Sequence, residues 1–232
     1  FSKPGAVEVP FLSQPARHYL GAAWYQREIR LPENWKERRV SLFLERPRWE
    51  SSVWIDETHI GTARSLVAPH EFDLGVLKPG VHRLSIRLDN RMIVSDPKDN
   101  GHMPDAHAVS DALGSTWNGV AGRIELRSTP TVWIADIQAY PNVAERSVRL
   151  QVSIGNTSGN PGEGELTVNG VKTRVRWETT GAASSLVVPL DEGAECWDEF
   201  NPRLIKLPVS LNGPIGTHEK EVSFGLREIT WR

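Results

Sequence analysis

His102, Asp105, His107 and Asp111 come nearest, by residue type and spacing, to a reactive cluster in this chain. Imidazole and carboxylate together suit zinc and similar ions, and they also suit contacts to a polar substrate. The spacing fits no strict metal motif, so neither a metal nor a cofactor is expected. The four lie within about 30 residues, Asp89 to Asn118, that carry little strand pattern and are rich in Asp, Asn, Gly, Pro and His. Such a stretch in a compact domain is often functional. Its ends add Asp89, Asn90, Trp117 and Asn118 to the substrate-proximal candidates, with side-chain packing the leading expectation for Trp117.

Everything around this stretch reads as β-structure. Sustained 3.6-residue periodicity is missing, while short alternating runs recur between Gly, Pro, Asn and Asp clusters. The clearest runs in the first half are Trp24 to Leu31, Arg39 to Glu45, Ser52 to Asp56, His82 to Leu88 and Gly122 to Arg127. In His82 to Leu88 the residues Leu84, Ile86 and Leu88 share one face and Arg83, Ser85 and Arg87 the other, as in a half-buried antiparallel strand. The second half alternates more cleanly, with Val148, Leu150, Val152 and Ile154 on one face. Further runs follow at Glu165 to Asn169, Val171 to Trp177, Ser185 to Leu190, Leu204 to Leu211 and Glu219 to Phe224. About seven short strands in about 100 residues predict an immunoglobulin-like sandwich. Ser128-Thr129-Pro130 is the expected link, giving domains at 1–129 and 130–232.

Composition bounds the rest. A chain of 232 residues has room for two domains, and 39% hydrophobic with 24% charged residues is ordinary for a globular protein. A net charge of -2 with mixed signs gives no reason to expect a nucleic-acid or anionic-lipid partner. No apolar run reaches the roughly 20 residues of a membrane span. The single Cys196 rules out an internal disulfide and is expected to be a small buried hydrophobe. Nine tryptophans stand against three tyrosines. Trp24, Trp54 and Trp133 fall in predicted strands, where packing in a core or a domain interface is expected ahead of sugar stacking. Asn156-Thr157-Ser158 is a glycosylation tripeptide, unremarkable in a chain of this length. The start at Phe1 is expected to reflect processing or excision from something longer.

Read in order, the landmarks resemble the front of family 2 glycoside hydrolases, the group of β-galactosidases, β-glucuronidases and β-mannosidases. Ala23-Trp24-Tyr25-Gln26-Arg27-Glu28-Ile29 resembles the opening strand of their sugar-binding jelly roll. Arg39 to Glu45, Ser51 to Asp56 and Glu71 to Leu74 resemble its next strands. Leu88-Asp89-Asn90 resembles the end of its long arginine-bearing strand, and Trp117 to Leu126 its last strand. Val132-Trp133-Ile134-Ala135-Asp136, Cys196 to Pro202 and Phe224 to Ile229 resemble markers of the immunoglobulin-like domain that follows. The set spans nearly the whole chain. It implies an all-β fold: a jelly-roll, galactose-binding-like sandwich followed by an immunoglobulin-like sandwich.

The same resemblance locates the chemistry elsewhere. A glycosidase needs two carboxyls about 5–10 Å apart, one usually with a raised pKa. In this family both are glutamates on a barrel, the acid/base directly after an Asn, and no Asn-Glu dipeptide occurs here. Asp198-Glu199, Asp73 and Asp136 read as turn or strand-end acids. No catalytic residue is therefore expected. The chain reads as the non-catalytic N-terminal part of a β-galactosidase-like hydrolase, its partner being a catalytic barrel that follows in the same polypeptide, with a carbohydrate substrate. Members acting on galactose place an acid just before the last-strand Trp; Ser115 and Thr116 precede Trp117 here. Periplasmic or secreted location fits the family, although no residue specifies a compartment. A free-standing carbohydrate-binding protein is the alternative, and an adhesion or receptor ectodomain a third reading.

Overall fold

The structure is a computed structural model that describes Tyr19 and residues 21–65, 67–91 and 117–228. The chain divides into two compact units, Phe1–Lys36 with Val40–Ser128, and Glu37–Arg39 with Thr129–Arg232. Both are β-sandwiches, and among the described residues the only helical element is a single 3-10 turn at Glu33–Trp35.

The first unit contains β1 (Ala22–Leu31), β2 (Arg39–Arg48), β3 (Glu50–Ile55), β4 (Thr58–Arg64), β5 (His70–Val76), β6 (Gly80–Asp89) and β7 (Gly119–Thr129). One sheet runs in the order β1-β6-β3-β4 and the other β5-β2-β7. Alternation decides which side chains meet between them. Val40, Leu42 and Leu44 of β2 join Val53, Ile55, Phe72, Leu74, Leu84, Ile86 and Leu88 in one buried core. On the opposite face of β2, Phe43 is buried as well, because Arg127 of β7 lays its guanidinium 3.7 Å from the ring centroid and Arg123 a second at 5.2 Å. Those arginines are in turn held by Glu45, Glu71 and Glu125. A charged lattice thus shields an outward-facing Phe from water.

β4 departs from the alternation rule. A bulge between Val53 and Trp54 of β3 sets Gly61 opposite Val53 and His59 opposite Trp54. Gly61 lies against Phe72 of β5, where a Cβ would meet the ring at 3.8 Å.

The second unit contains β8 (Val132–Asn142), β9 (Ser147–Asn156), β10 (Gly162–Val168), β11 (Val171–Trp177), β12 (Ala182–Pro189), β13 (Ile205–Gly213) and β14 (Gly216–Phe224). Its sheets run β11-β10-β13-β14 and β12-β9-β8, a four-plus-three arrangement of the immunoglobulin kind. Val148, Leu150, Val152, Leu166, Val168, Val188 and Val209 are fully inside. β8 bulges between Ile134 and Asp136. Side chains of β14 hold the bulge: His218 Nδ1 accepts from Ile134 N–H at 3.1 Å, and Lys220 Nζ donates to Ala135 O at 2.7 Å. Burial pushes the His218 pKa down, and Lys220 adds to this, so the ring stays neutral and able to accept.

Glycines seat the large indoles. Trp177 is buried against its cross-strand neighbour Gly162, whose missing side chain makes the space; a Cβ there would sit 2.9 Å from the indole. Gly155 does the same for Trp133 and Gly225 for Trp197. Gly162→Ala is therefore expected to destabilise the second unit by about 1–3 kcal/mol through overpacking. Trp177→Phe in the same chain should recover part of that loss, which urea denaturation of the two single variants and the double variant would measure.

Candidate functional site

Of the eight candidates, the structure brings four together: Asp89, Asn90, Trp117 and Asn118. His102, Asp105, His107 and Asp111 lie outside the described residues. The four converge because β6 ends at Asp89 and β7 begins at Gly119, beside the start of β1 at Ala22.

At this point several main-chain groups leave the ladder, and two amides take them up. The fully buried Asn90 accepts from Gly21 N–H at 2.8 Å and donates to Tyr19 O at 2.7 Å and Trp117 O at 3.2 Å. Asn118 donates to Gly21 O at 3.1 Å and Leu88 O at 3.2 Å, and accepts from the Tyr25 hydroxyl at 3.1 Å. Both N–H groups of each amide are thereby committed to the fold. These residues frame the site; their geometry is that of positioning groups.

Asp89 faces the other way, onto the outer face of the β1-β6-β3-β4 sheet. It lines a cleft of about 310 Å³ with Trp49, Glu50, Arg64, Arg87 and Arg91. Arg91 reaches the Asp89 carboxylate at 2.6 Å and 3.0 Å, and Arg87 at 2.7 Å. Arg87 also donates to Glu50 at 3.0 Å, and Glu50 accepts from Arg64 at 2.5 Å. The Arg91 hydrogen bond, with its backbone N–H and the charges of Arg91 and Arg87, lowers the Asp89 pKa to about 2. Two carboxylates over a cleft could suggest a hydrolytic pair. Here Arg87 occupies the space between them, and Asp89 is held ionised, the opposite of the raised pKa that a general acid needs.

Trp117 is 37% exposed, with the Arg48 guanidinium 6.0 Å from its ring. Of the tryptophans expected in a core or a domain interface, Trp24 and Trp54 lie outside the core. Trp24 is 62% exposed and Trp54 half-buried, and their ring centroids stand 5.0 Å apart on the outer face. Parity carries the signal: Ile29 and Leu31 point inward, which sends Trp24 outward, and Val53 and Ile55 do the same to Trp54. Cys196 also corrects an expectation. It is exposed, because it lies beyond the end of β12 in a turn-rich connection rather than in the sandwich interior.

The remaining acids are structural. Asp198 accepts from Phe200 N–H at 2.9 Å and Asn201 N–H at 2.7 Å, closing the turn that Asn201-Pro202 completes. Glu199 is exposed, and Asp73 accepts from Gly75 N–H at 2.9 Å. Asn156 of the glycosylation tripeptide donates to Asn160 O and Glu178 O, both at 2.8 Å, so its amide nitrogen is spent. Among the described residues no group of three or more His, Cys, Asp or Glu is arranged to hold a metal, and no helix is long and apolar enough to cross a membrane.

Two β-sandwich units are the class of fold that the described residues define, and comparison with known proteins sharpens it. No protein-family model matches the chain. A β-glucuronidase from Pongo abelii is 26% identical over 199 residues, covering 78% of this chain and 30% of the relative. β-Glucuronidase from Bacteroides uniformis superposes with a TM-score of 0.72 at 18% identity, covering 89% of this chain and 26% of that one. A GH2 β-galacturonidase from Eisenbergiella tayi, solved with galacturonate, gives 0.68 at 19% identity over 91% of this chain and 37% of its own. The chain thus spans about a third or less of the length of the curated relatives it matches. The resemblance to family 2 glycoside hydrolases holds across most of the chain in sequence and in fold.

Two outcomes check this geometry. Asn90→Ala is expected to cost about 1–3 kcal/mol, since it strands buried main-chain groups, and equilibrium unfolding in urea would register it. Asp89, with its folded pKa below its ordinary value of 3.8, adds stability above about pH 4 that is lost as the pH falls toward 2. The gap between the natural chain and Asp89→Asn should therefore shrink by on the order of 2 kcal/mol on acidification over that range, in unfolding curves recorded at each pH.

Proposed function

We propose that this chain is the non-catalytic N-terminal portion of a family 2 glycoside hydrolase that acts on a terminal β-linked uronide with retention. One observation carries the reading: the chain aligns over most of its own length with only about a third of the length of β-glucuronidases. Within that enzyme the first sandwich supports a catalytic barrel and lends it the segment framed by Asn90 and Asn118. The second sandwich is the spacer that holds this arrangement. The candidate contacts to substrate are His102, Asp105, His107 and Asp111 within the segment, with Trp117 at its edge.

A uronide is favoured over a plain galactoside on two grounds. The relatives named above act on glucuronides or galacturonides, and the acid that galactose-directed members place before the last-strand Trp is replaced by Thr116. The alternative of a free-standing binding protein gains nothing from relatives that are hydrolases.

The test is to read the coding sequence beyond residue 232, express the extended protein, and assay nitrophenyl β-glucuronide, β-galacturonide and β-galactoside. The extended protein is expected to turn over a uronide, and the 232-residue chain none of the three. Turnover by the pure 232-residue chain, abolished by a point substitution within it, would overturn the reading.

A further inference from the structure

The outer face of the β1-β6-β3-β4 sheet carries a pair of aromatics beside the arginine-walled cleft. Trp24 of β1 and Trp54 of β3 meet above β6, where they cover Ser85 and Arg87, the residues paired with them in register. The strip continues across the sheet to the exposed His59 of β4, whose ring centroid is 4.8 Å from that of Trp54. Gln26 braces the strip's floor by donating to Ser85 at 3.0 Å. One register step along the strands, the strip gives way to the arginine-walled cleft described above: Arg87 pairs with Trp24, and Asp89, Glu50 and Arg64 form the next row.

Aromatic planes beside charged, planar hydrogen-bonding groups are the two elements that a sugar ring engages, through its apolar C–H face and its hydroxyl edge. The cleft sets three guanidiniums against two carboxylates. Arg64 and Arg91 keep 65% and 57% of their side-chain surface exposed, while Asp89 keeps 8%. The accessible rim is therefore cationic, with its counter-charges beneath, and guanidinium is the group best shaped to take a carboxylate edge-on.

We infer that this face binds an acidic oligosaccharide, with a sugar ring stacked on Trp24 and Trp54 and a uronate carboxylate at Arg64 and Arg91. The choice of a uronate rests in part on the uronide reading above. The surface is a binding site on the first sandwich that meets the segment framed by Asn90 and Asn118 only at its first residue, Arg91. It would hold polymeric substrate near the enzyme independently of cleavage.

Isothermal titration of the 232-residue chain with a tetrasaccharide alternating glucuronate and N-acetylglucosamine tests it, alongside the carboxyl-reduced tetrasaccharide. The acidic sugar is expected to bind about fivefold more tightly than its reduced form. Trp24→Ala, at an exposed position, should keep the β-sheet far-UV spectrum and weaken binding roughly tenfold. Arg64→Gln should erase most of the preference for the acidic sugar while leaving the reduced one unaffected. No binding of the acidic sugar, or binding untouched by both Trp24→Ala and Trp54→Ala, would overturn the inference. So would concentration-dependent dimers in sedimentation velocity that Trp24→Ala abolishes, since the strip would then belong to a second copy. Failure here with uronide turnover intact in the extended protein removes this site alone; binding without any such turnover removes the enzymatic reading instead.

Discussion

The first sandwich depends on satisfying backbone at the point where its ladder runs out. The chain enters β1, leaves β6 and re-enters at β7 within one small volume, and there Tyr19 O, Gly21 N–H and O, Leu88 O and Trp117 O take side-chain partners. Asn90 and Asn118 supply them all. An amide can donate twice and accept at once, which no other side chain of that size does, and buried main-chain groups left alone are costly. Two residues thereby close the sandwich end and fix where the intervening segment starts and stops.

The charge arrangement follows the same economy of space. Outward faces of a two-layer fold must be made compatible with water, yet both sheets of the first unit place aromatics there. Over Phe43 the solution is a lid of Arg123 and Arg127 locked by glutamates. Over Trp24 and Trp54 no such lid is present among the described residues, although Arg87, Arg64 and Arg91 stand beside them. That contrast separates a covered aromatic from a presented one, and it is the physical ground for treating the two faces differently.

The sequence made much of this legible where one face is apolar and the other polar. β6, β9 and β11 read cleanly because their alternating residues differ in kind; the second sandwich follows from the number and spacing of such runs, and the first from the family resemblance. β4 was hidden: the bulge at Val53 and Trp54 breaks the pairing with β3, and Gly61 and Ala63 give its inward positions too little apolar bulk to show a period. Asp89, Asn90, Trp117 and Asn118 do come together, but that the two asparagines act on backbone rather than facing outward depends on pairings across roughly 70 to 97 positions of chain, which no local pattern encodes. Strand parity, more than residue type, places Trp24 and Trp54 outside the core. Cys196 was misjudged because a small thiol's usual burial says nothing about a turn.

Asn156 carries a practical consequence for making the protein. Its amide nitrogen donates to two carbonyls in a corner only 9% exposed. Oligosaccharide transfer in a eukaryotic secretory host acts on the tripeptide before that corner has closed, and it would replace one of the two N–H bonds with a bulky branch pointing into β-structure. A chain so decorated loses that bond and must place the branch at a nearly buried corner, which disfavours this folded state. Expression in bacteria, or with Ser158 changed to break the acceptor signal, leaves the nitrogen to its structural partners.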